Sequence, residues 1–384
     1  MPALEGQTLG VVGGGQLGRM LGEAASPLGV DVVVLDPTPE APASRVADQI
    51  VADFDDPEAL AELADRSDAL TFEIELADPD GLETAAAEAG VPVHPSPDTL
   101  RLIEDKLVQK RHMRAAGVPC PAFREAGSVD ELGSALDELG YPAMLKARTG
   151  GYDGRGNAPI HGPDDVEAAF AAVGGDAMVE AFVDFDRELS VIGCVGREEI
   201  DAFPVTETIH EEEILRRTVS PARTRQDIRE QAREVAVDVL DELEGRGVYG
   251  IELFEREGEI LLNEIAPRPH NSGHWTIEGA STSQFEQHVR AVLGAPTGST
   301  ELRAPTVSAN ILGDVDEPQP ANLQGSEAVL ASDRAAMHWY GKREVRPLRK
   351  MGHFTISGPQ EAVVDRLLNR ASKLADELTF RTDG

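Results

Sequence analysis

This sequence is short of positive charge: 35 lysines and arginines stand against 69 aspartates and glutamates, a formal net charge of −34 over 384 residues. A surface of that sign repels phosphate backbones and anionic lipid, so neither nucleic acid nor a membrane is expected as a partner. The acid is spread through segments such as ADFDDPEALAELADRSD and HEEE, and 41% hydrophobic content argues against disorder. It reads as a solvated coat adapted to high salt. Only six lysines remain, at 106, 110, 146, 342, 350 and 373. A chain so poor in lysine that keeps Lys146, Lys342 and Lys350 beside glycine, aromatic and arginine clusters has a use for an ammonium there, chance survival being the alternative.

Cysteine is nearly absent too. Cys120 and Cys194 make no disulfide framework and no metal-ligand spacing, and both read as buried small apolar residues. No run of about 18 apolar residues occurs, and Met1 to Gln7 carries no basic stretch ahead of an apolar one. A soluble, cytoplasmic protein of two or three domains is expected.

Up to about residue 100, strand-like runs (Leu9 to Val12, Val30 to Leu35, Ala69 to Phe72, Val91 to Val93) alternate with helical stretches (Gln16 to Ala25, Pro57 to Asp65, Gly81 to Ala89), the pattern of a parallel α/β layer. A longer helix is expected over Thr99 to Ala116, ended by Gly117 before Pro119. A second unit, 101–295, starts with a small glycine-rich part, about 118–185, expected to be a mobile lid. It continues with the strand-rich segments ELSVIGCVG, DAFPVTET, GVYGIELFE and EILLNEIAPR. A smaller unit, 296–384, closes with a helix over Gln360 to Leu378.

The stretch VVGGGQLGRM places Gly13, Gly15 and Gly18 in G-x-G-x-x-G spacing after a strand, with Leu35-Asp36 ending the next apolar run. That suits a dinucleotide. A glycine turn feeding a helix N-terminus suits any other phosphate equally, or is an ordinary turn.

GVYGIELFE and EILLNEIAPR flank a turn with Gly258 at its middle and read as a β-hairpin. With an odd-numbered loop centred on Gly258, Glu252 lies directly across from Glu264 on the same face, Cβ atoms about 5 Å apart. Two carboxylates so placed repel unless a cation lies between them, and oxygen pairs completed by phosphate oxygens are how proteins hold Mg²⁺. Two solvent-facing glutamates are the alternative, against which the apolar neighbours Ile251, Leu253, Leu262 and Ile265 speak.

KARTGGYDGRGN supplies a complementary half. Lys146 ends an apolar strand, and Gly150, Gly151, Gly154 and Gly156 let backbone N–H groups close over an anion, with Tyr152, Asp153 and Arg155 among them. No Walker loop is present. Joined to the downstream glutamates, the segment describes a nucleotide whose phosphates are covered by a flap and bridged by Mg²⁺.

The segments GGGQLGRM, KARTGGYDGRGN, NEIAPRPHNSGHW and HWYGKREVRPLRKMGH, in that order along nearly the whole chain, resemble the 5-(carboxyamino)imidazole ribonucleotide synthase family of the ATP-grasp superfamily. The resemblance implies an α/β ATP-grasp fold with an N-terminal Rossmann-like (pre-ATP-grasp) domain and a small C-terminal domain. It implies ATP-dependent carboxylation of 5-aminoimidazole ribonucleotide by bicarbonate through carboxyphosphate, in a homodimer, with ATP and Mg²⁺ as cofactors. By the same resemblance Lys106 and Lys146 contact ATP phosphates beneath the loop Gly151, Tyr152, Asp153, Gly154, Arg155, Gly156 and Asn157. Glu180, Ala181, Phe182 and Val183 hold the adenine, Glu188 takes the ribose hydroxyls, and His210 and Asn263 lie beside the nucleotide. Glu252 and Glu264 are the metal ligands, and Ala266 stands where many ATP-grasp enzymes have a further asparagine ligand. Gly15, Gln16, Leu17 and Glu73 face the ribonucleotide, whose phosphate meets Lys342, Arg349 and Lys350; whether Lys342 or Arg343 takes that role stays open. Tyr152, Asp153, Arg155, His270 and Asn271 are the catalytic candidates.

His270, Asn271 and His274 lack a third zinc ligand at suitable spacing, so hydrogen bonding to substrate or bicarbonate is favoured. Trp275 and Trp339 are read as core. Three other functions stay open: another ATP-grasp ligase, such as a formate-dependent glycinamide ribonucleotide transformylase; a dinucleotide-binding oxidoreductase; and a nucleotide sensor without turnover. The acidic coat has a direct consequence. Self-repulsion is screened over a Debye length of about 10 Å at 0.1 M salt, so the melting temperature should rise between about 0.1 and 2 M KCl. A flat or falling melting temperature would remove the high-salt reading.

Overall fold

The computed structural model describes residues 4–150, 156–359 and 363–381. Four parallel strands, ordered Asp48–Ile50, Asp31–Leu35, Thr8–Val12 and Ala69–Phe72, form the N-terminal sheet. All but the outermost are buried valine- and leucine-rich runs, because helices cover both faces. Leu60, Leu63, Leu82 and Ala86 from the helices Pro57–Asp65 and Pro79–Ala89 pack on one face. On the other lies Gln16–Ala25, joined by Phe285, Val289 and Val292 of the distant helix Gln284–Val292, so the N-terminal core is shared with the second unit. Asp56 and Asp78 cap the two covering helices, each accepting two backbone N–H groups ahead of a proline. The run Val91 to Val93, expected as a strand, makes only one parallel bridge, Val93 to Leu70.

The single helix expected over Thr99 to Ala116 is two helices, Pro97–Glu104 and Lys106–Ala115. The interruption is Asp105, extended at φ −96°, ψ 103°, whose carboxylate accepts from Leu107 N (2.9 Å) and Val108 N (3.2 Å). A second N-cap has replaced helix continuation, and Arg148 fixes it from the side at 2.5 Å. Lys106 thereby becomes the first residue of a new helix with a new axis.

A four-stranded antiparallel sheet, Phe123–Ala126, Ala177–Ala181, Ala143–Ala147 and Asn157–Ile160, carries Lys146 and Glu180. The main sheet runs in order Glu259–Ala266, Gly247–Arg256, Arg187–Val195, Thr206–Glu211, Ile214–Ser220, Thr306–Leu312, Lys350–Ser357 and Ala335–Trp339. It crosses without a break from the second unit into the third, where Arg217 pairs with Ala309. DAFPVTET is not one strand: Ile200–Ala202 stops before Pro204, which has no N–H for the ladder, and Thr206–Glu211 begins after it. The last helix spans Val364–Glu377; residues 360–362, where it was expected to begin, lie outside the described residues.

The N-terminal domain meets the second unit at one backbone contact of unusual closeness. Gly245 has φ +94°, and a Cβ there would lie 2.3 Å from Ser96 N and 2.9 Å from Pro95 C. Glu244 beside it exchanges hydrogen bonds with Thr99 Oγ1, both 2.8 Å. Gly245→Ala should therefore lose at least about 2 kcal/mol, from left-handed strain plus a backbone clash, read as a lower midpoint in urea unfolding. An unchanged midpoint would mean the two units are not seated against each other here.

Candidate active site

The structure pairs Glu252 with Glu264 across the hairpin, but not by the expected route. The turn is the two-residue Glu257-Gly258, both at positive φ (51° and 85°), between Arg256 and Glu259. Such a turn alone would set Glu252 opposite Asn263. A bulge between Glu252 and Leu253 takes up Asn263 and moves the register on by one, which restores the carboxylate pair. Burial, then the charge of Glu264, pushes the Glu252 carboxyl up to about 7. Glu264 goes the other way: burial opposes its charge, but Lys106, whose Nζ donates to Glu264 Oε1, outweighs it and lowers the pKa. Both glutamates line a cavity of about 1260 Å³.

This donor set fits a hard divalent cation. Two opposed carboxylates open toward the cavity, and burial followed by the charge of Glu264 raises the pKa of Glu252 to about 7. Among the described residues no group of three or more His, Cys, Asp or Glu surrounds a single metal position. Water and phosphate oxygens would have to fill the remaining coordination positions.

Behind the cavity wall lies a buried charge triad. Glu180, 3% exposed, receives Lys146 at 2.6 Å and Lys110, 2% exposed, at 3.0 Å. Burial works against the carboxylate, but the two ammoniums overcome it and hold Glu180 at about 2. Burial likewise opposes the Lys146 charge, and Glu180 reverses this, so its pKa rises. For Lys110 burial prevails and the pKa falls. Lys146 also donates to Asn263 Oδ1 at 3.3 Å and Lys110 to the Leu262 carbonyl at 2.8 Å, which ties the triad to the glutamate hairpin.

The glycine turn at the head of Gln16–Ala25 is already occupied. Gly18 N donates to Glu73 Oε2 at 2.7 Å and Gly15 N to Glu73 Oε1, so a carboxylate of the chain takes the place where a dinucleotide's pyrophosphate would sit. Asp36, the candidate ribose ligand of that reading, accepts from Gly14 N (2.9 Å) and Thr38 N (2.8 Å) instead. Both signals for a dinucleotide are thus used internally, and the oxidoreductase alternative falls. Gly15, Gln16, Leu17 and Glu73 still line the cavity. Burial pushes Glu73 up to about 7 despite the N–H groups of Gly18 and Gly15.

From the third unit Lys342, Arg346, Arg349 and Lys350 reach the same cavity. Arg343 does not: it is 78% exposed and pairs with Glu40. Of the two alternatives at that position, Lys342 is therefore the one facing the cavity. His270 Nδ1 meets Ser272 Oγ at 2.8 Å while Nε2 stands 3.6 Å from Glu252, and Asn271, which lines the cavity, has a buried Nδ2 without a hydrogen-bond partner among the described residues. His274 is buried against His353, 4.6 Å between ring centroids and tilted by 33°. Trp275 is fully buried edge-on to Phe203, a core position, whereas Trp339 is only partly buried and packs against Phe380 at the margin of the third unit's core.

Of the remaining candidates, Lys106 and His210 line the cavity, and His210 Nδ1 meets Glu188 at 2.7 Å. Lys146, Glu180, Val183, Glu188 and Asn263 are not among its lining residues. Phe182 is 43% exposed and Ala181 half-buried. Asn157 pairs with Lys146 across two strands, and Gly156 O accepts from Ala147 N at 2.7 Å. Gly151, Tyr152, Asp153, Gly154 and Arg155 lie outside the described residues. Among groups with no role assigned from sequence, Arg268, which reaches Glu75 at 2.7 Å, and Arg346 line the cavity, and Lys110 is buried against Glu180. The signal for Lys110 was available, since Lys106 and Lys110 are one helical turn apart in a chain with six lysines.

Models of three domain families match in succession: Ribonucleotide synthetase preATP-grasp domain over 6–104, ATP-grasp domain over 111–285, and Phosphoribosylaminoimidazole carboxylase C-terminal domain over 306–366. Fold and site together define an ATP-grasp ligase. The N5-carboxyaminoimidazole ribonucleotide synthase of Brucella melitensis is 40% identical over 361 residues, covering 92% of this chain and 97% of that protein. The phosphoribosylaminoimidazole carboxylase of Schizosaccharomyces pombe is 42% identical over 371 residues, and the match spans 93% of this chain but only 66% of the longer yeast protein. The Aspergillus clavatus synthase crystallised with ADP and 5-aminoimidazole ribonucleotide superposes with a TM-score of 0.90 at 36% identity, covering 98% of this chain and all of that one. The chain belongs to the N5-carboxyaminoimidazole ribonucleotide synthase family, ATP-dependent carbon–nitrogen ligases of purine biosynthesis.

The Glu73 plug has a pH signature. Its folded pKa of about 7 lies above the unfolded value of 4.5, so the stability it contributes is complete below about 4.5 and lost as pH rises through 7. The loss amounts to at most about 3 kcal/mol. Glu73→Gln cannot ionise, so its unfolding free energy relative to the parent should climb from pH 5 to about pH 7 and level off above it. A difference that stays constant would show Glu73 ionised throughout.

Proposed function

We propose that the chain carboxylates the exocyclic amine of 5-aminoimidazole ribonucleotide, with ATP activating bicarbonate as carboxyphosphate. One observation carries this above all: the carboxylate pair Glu252 and Glu264, the ammonium of Lys106, and the cations Lys342, Arg346, Arg349 and Lys350 open onto a single cavity from different parts of the chain. An acidic protein has few reasons to gather four cations of its third unit in the same cleft as a carboxylate pair. A substrate phosphate at the first and a metal–nucleotide at the second account for both.

In this reading Lys106 and Lys146 neutralise ATP phosphates, and Glu180, Ala181, Phe182 and Val183 receive the adenine. Glu188, with His210 at 2.7 Å, faces the ribose, and Asn263 lies beside the phosphates. Glu252 and Glu264 would hold Mg²⁺, which when bound supplies charge neutralisation on the transferring phosphoryl group. Lys342, Arg349 and Lys350 grip the 5′-phosphate of the ribonucleotide, and arginine does so with paired charge-assisted hydrogen bonds. Asn271 offers its unpartnered Nδ2 to a carboxyl oxygen of bicarbonate or carboxyphosphate, and His270 orients beside it. Glu73, whose carboxyl titrates near neutrality, faces the substrate amine. Carboxyphosphate survives briefly in water, so the segment about 118–185 is assigned the closing motion that shields it. The acidic coat and the unpaired cysteines Cys120 and Cys194 support a high-salt cytoplasm as the setting. The reading includes a homodimer, on the family resemblance alone.

The test is ADP release with ATP, Mg²⁺ and bicarbonate, with and without 5-aminoimidazole ribonucleotide. The ribonucleotide and bicarbonate should each be required for full turnover, and formate should not replace bicarbonate. Formate-supported turnover would transfer the assignment to the transformylase alternative. Glu264→Gln keeps size and loses charge, so turnover at fixed Mg²⁺ should fall by at least about a hundredfold with folding intact. Near-parental rates would remove Glu264 from the metal site.

A further inference from the structure

Lys110 lies outside every role assigned so far, yet it is among the most thoroughly buried charges in the molecule. Its ammonium has three neighbours with distinct effects: Glu180 at 3.0 Å, the Leu262 carbonyl at 2.8 Å, and, across Glu180, the ammonium of Lys146, itself 2.6 Å from that carboxylate. Two ammoniums thus share one carboxylate away from water. Their sum is one net positive charge, which a low-dielectric site tolerates poorly unless a further anion arrives. The next polar group beyond Lys146 is the neutral Asn263 Oδ1 at 3.3 Å, adjacent in sequence to Glu264. Glu264 and Glu252 also favour the Lys146 charge from further off, more weakly than Glu180, and Lys106 already pairs directly with Glu264.

We propose that Lys110 is a positioning residue that keeps the phosphate subsite of the nucleotide positively charged: by neutralising Glu180 from behind, it leaves the charge of Lys146 in surplus for an incoming polyphosphate. This rests on Lys146 contacting nucleotide phosphate. Without Lys110, Lys146 and Glu180 form a closed neutral pair, and the attraction for phosphate disappears although Lys146 itself is intact. A purely structural role for Lys110, as a tie between the helix Lys106–Ala115 and the strand Glu259–Ala266, makes the opposite forecast about charge. In that case removing Glu180 as well would damage the site further.

Inorganic tripolyphosphate isolates the phosphate subsite from adenine recognition. Its affinity is measured by calorimetry at fixed excess Mg²⁺, with 5-aminoimidazole ribonucleotide affinity as the control for intact folding. Lys110→Met should weaken tripolyphosphate at least about fivefold and leave the ribonucleotide within about threefold. Glu180→Gln added to Lys110→Met frees Lys146 again and should restore tripolyphosphate to within about threefold of the parent. Glu180→Gln alone should tighten it, an expectation that stands even if Lys110→Met does not fold. The proposal is overturned if Glu180→Gln weakens tripolyphosphate, if the double variant shows no recovery, if both ligands are lost together, or if the parent does not bind tripolyphosphate. Lys146→Met separates the two levels: no effect on tripolyphosphate removes Lys146 from the phosphate site, whereas a loss there with none in Lys110→Met refutes the role of Lys110 only.

Discussion

Glu252 and Glu264 face each other inside a protein whose surface is already strongly negative, and the rest of the site is arranged around that repulsion. Coulomb energy between like charges a few ångströms apart is large once water is excluded, so the pair persists only with compensation. Part of it is a proton held more readily, since burial and then the charge of Glu264 raise the pKa of Glu252. Part is Lys106, delivered to Glu264 by the helix break at Asp105. In the proposed reading the remainder falls to a divalent cation bearing anionic ligands, for which the cavity has room. Five sequence-distant elements serve this balance: the Asp105 cap, the Asn263 bulge, the Lys110–Glu180–Lys146 triad, the His270 turn and the C-terminal cation cluster.

The same economy of charge governs the N-terminal domain. Its glycine turn has the geometry of a phosphate cradle, but the chain inserts Glu73 there and turns Asp36 inward to Gly14 and Thr38. What remains is a rigid wall for the cleft, with an N-terminal helix end neutralised from within. G-x-G-x-x-G spacing records the turn and not its occupant, which is why the sequence pattern left the dinucleotide question open.

How far the site could be read in advance depended on the range of the cause. Strand periodicity and the glycines placed the hairpin, and the facing of Glu252 and Glu264 was anticipated, but from an odd loop where the chain uses a two-residue turn and a bulge. Two register errors of one residue cancelled. A bulge leaves no local signature when the residue it absorbs is an ordinary strand asparagine. The split at Asp105 was missed because helical periodicity continues across it, and only the partner Arg148, 43 positions away, makes the cap worthwhile. The role of Arg343 was undecidable from spacing, since whether it or Lys342 points inward is set by Glu40 in another domain. The motif segments carried the family, whereas contacts between sheets carried the roles of Lys110 and Arg268.

The central claim is that this cleft joins bicarbonate to phosphate before it joins carbon to nitrogen. Turnover in ¹⁸O-labelled bicarbonate, with ATP, Mg²⁺ and 5-aminoimidazole ribonucleotide, reads that order directly in the mass of the released inorganic phosphate. Passage through carboxyphosphate places one bicarbonate oxygen in each phosphate formed. Phosphate free of label, at a rate of ADP release that depends on the ribonucleotide, would contradict it.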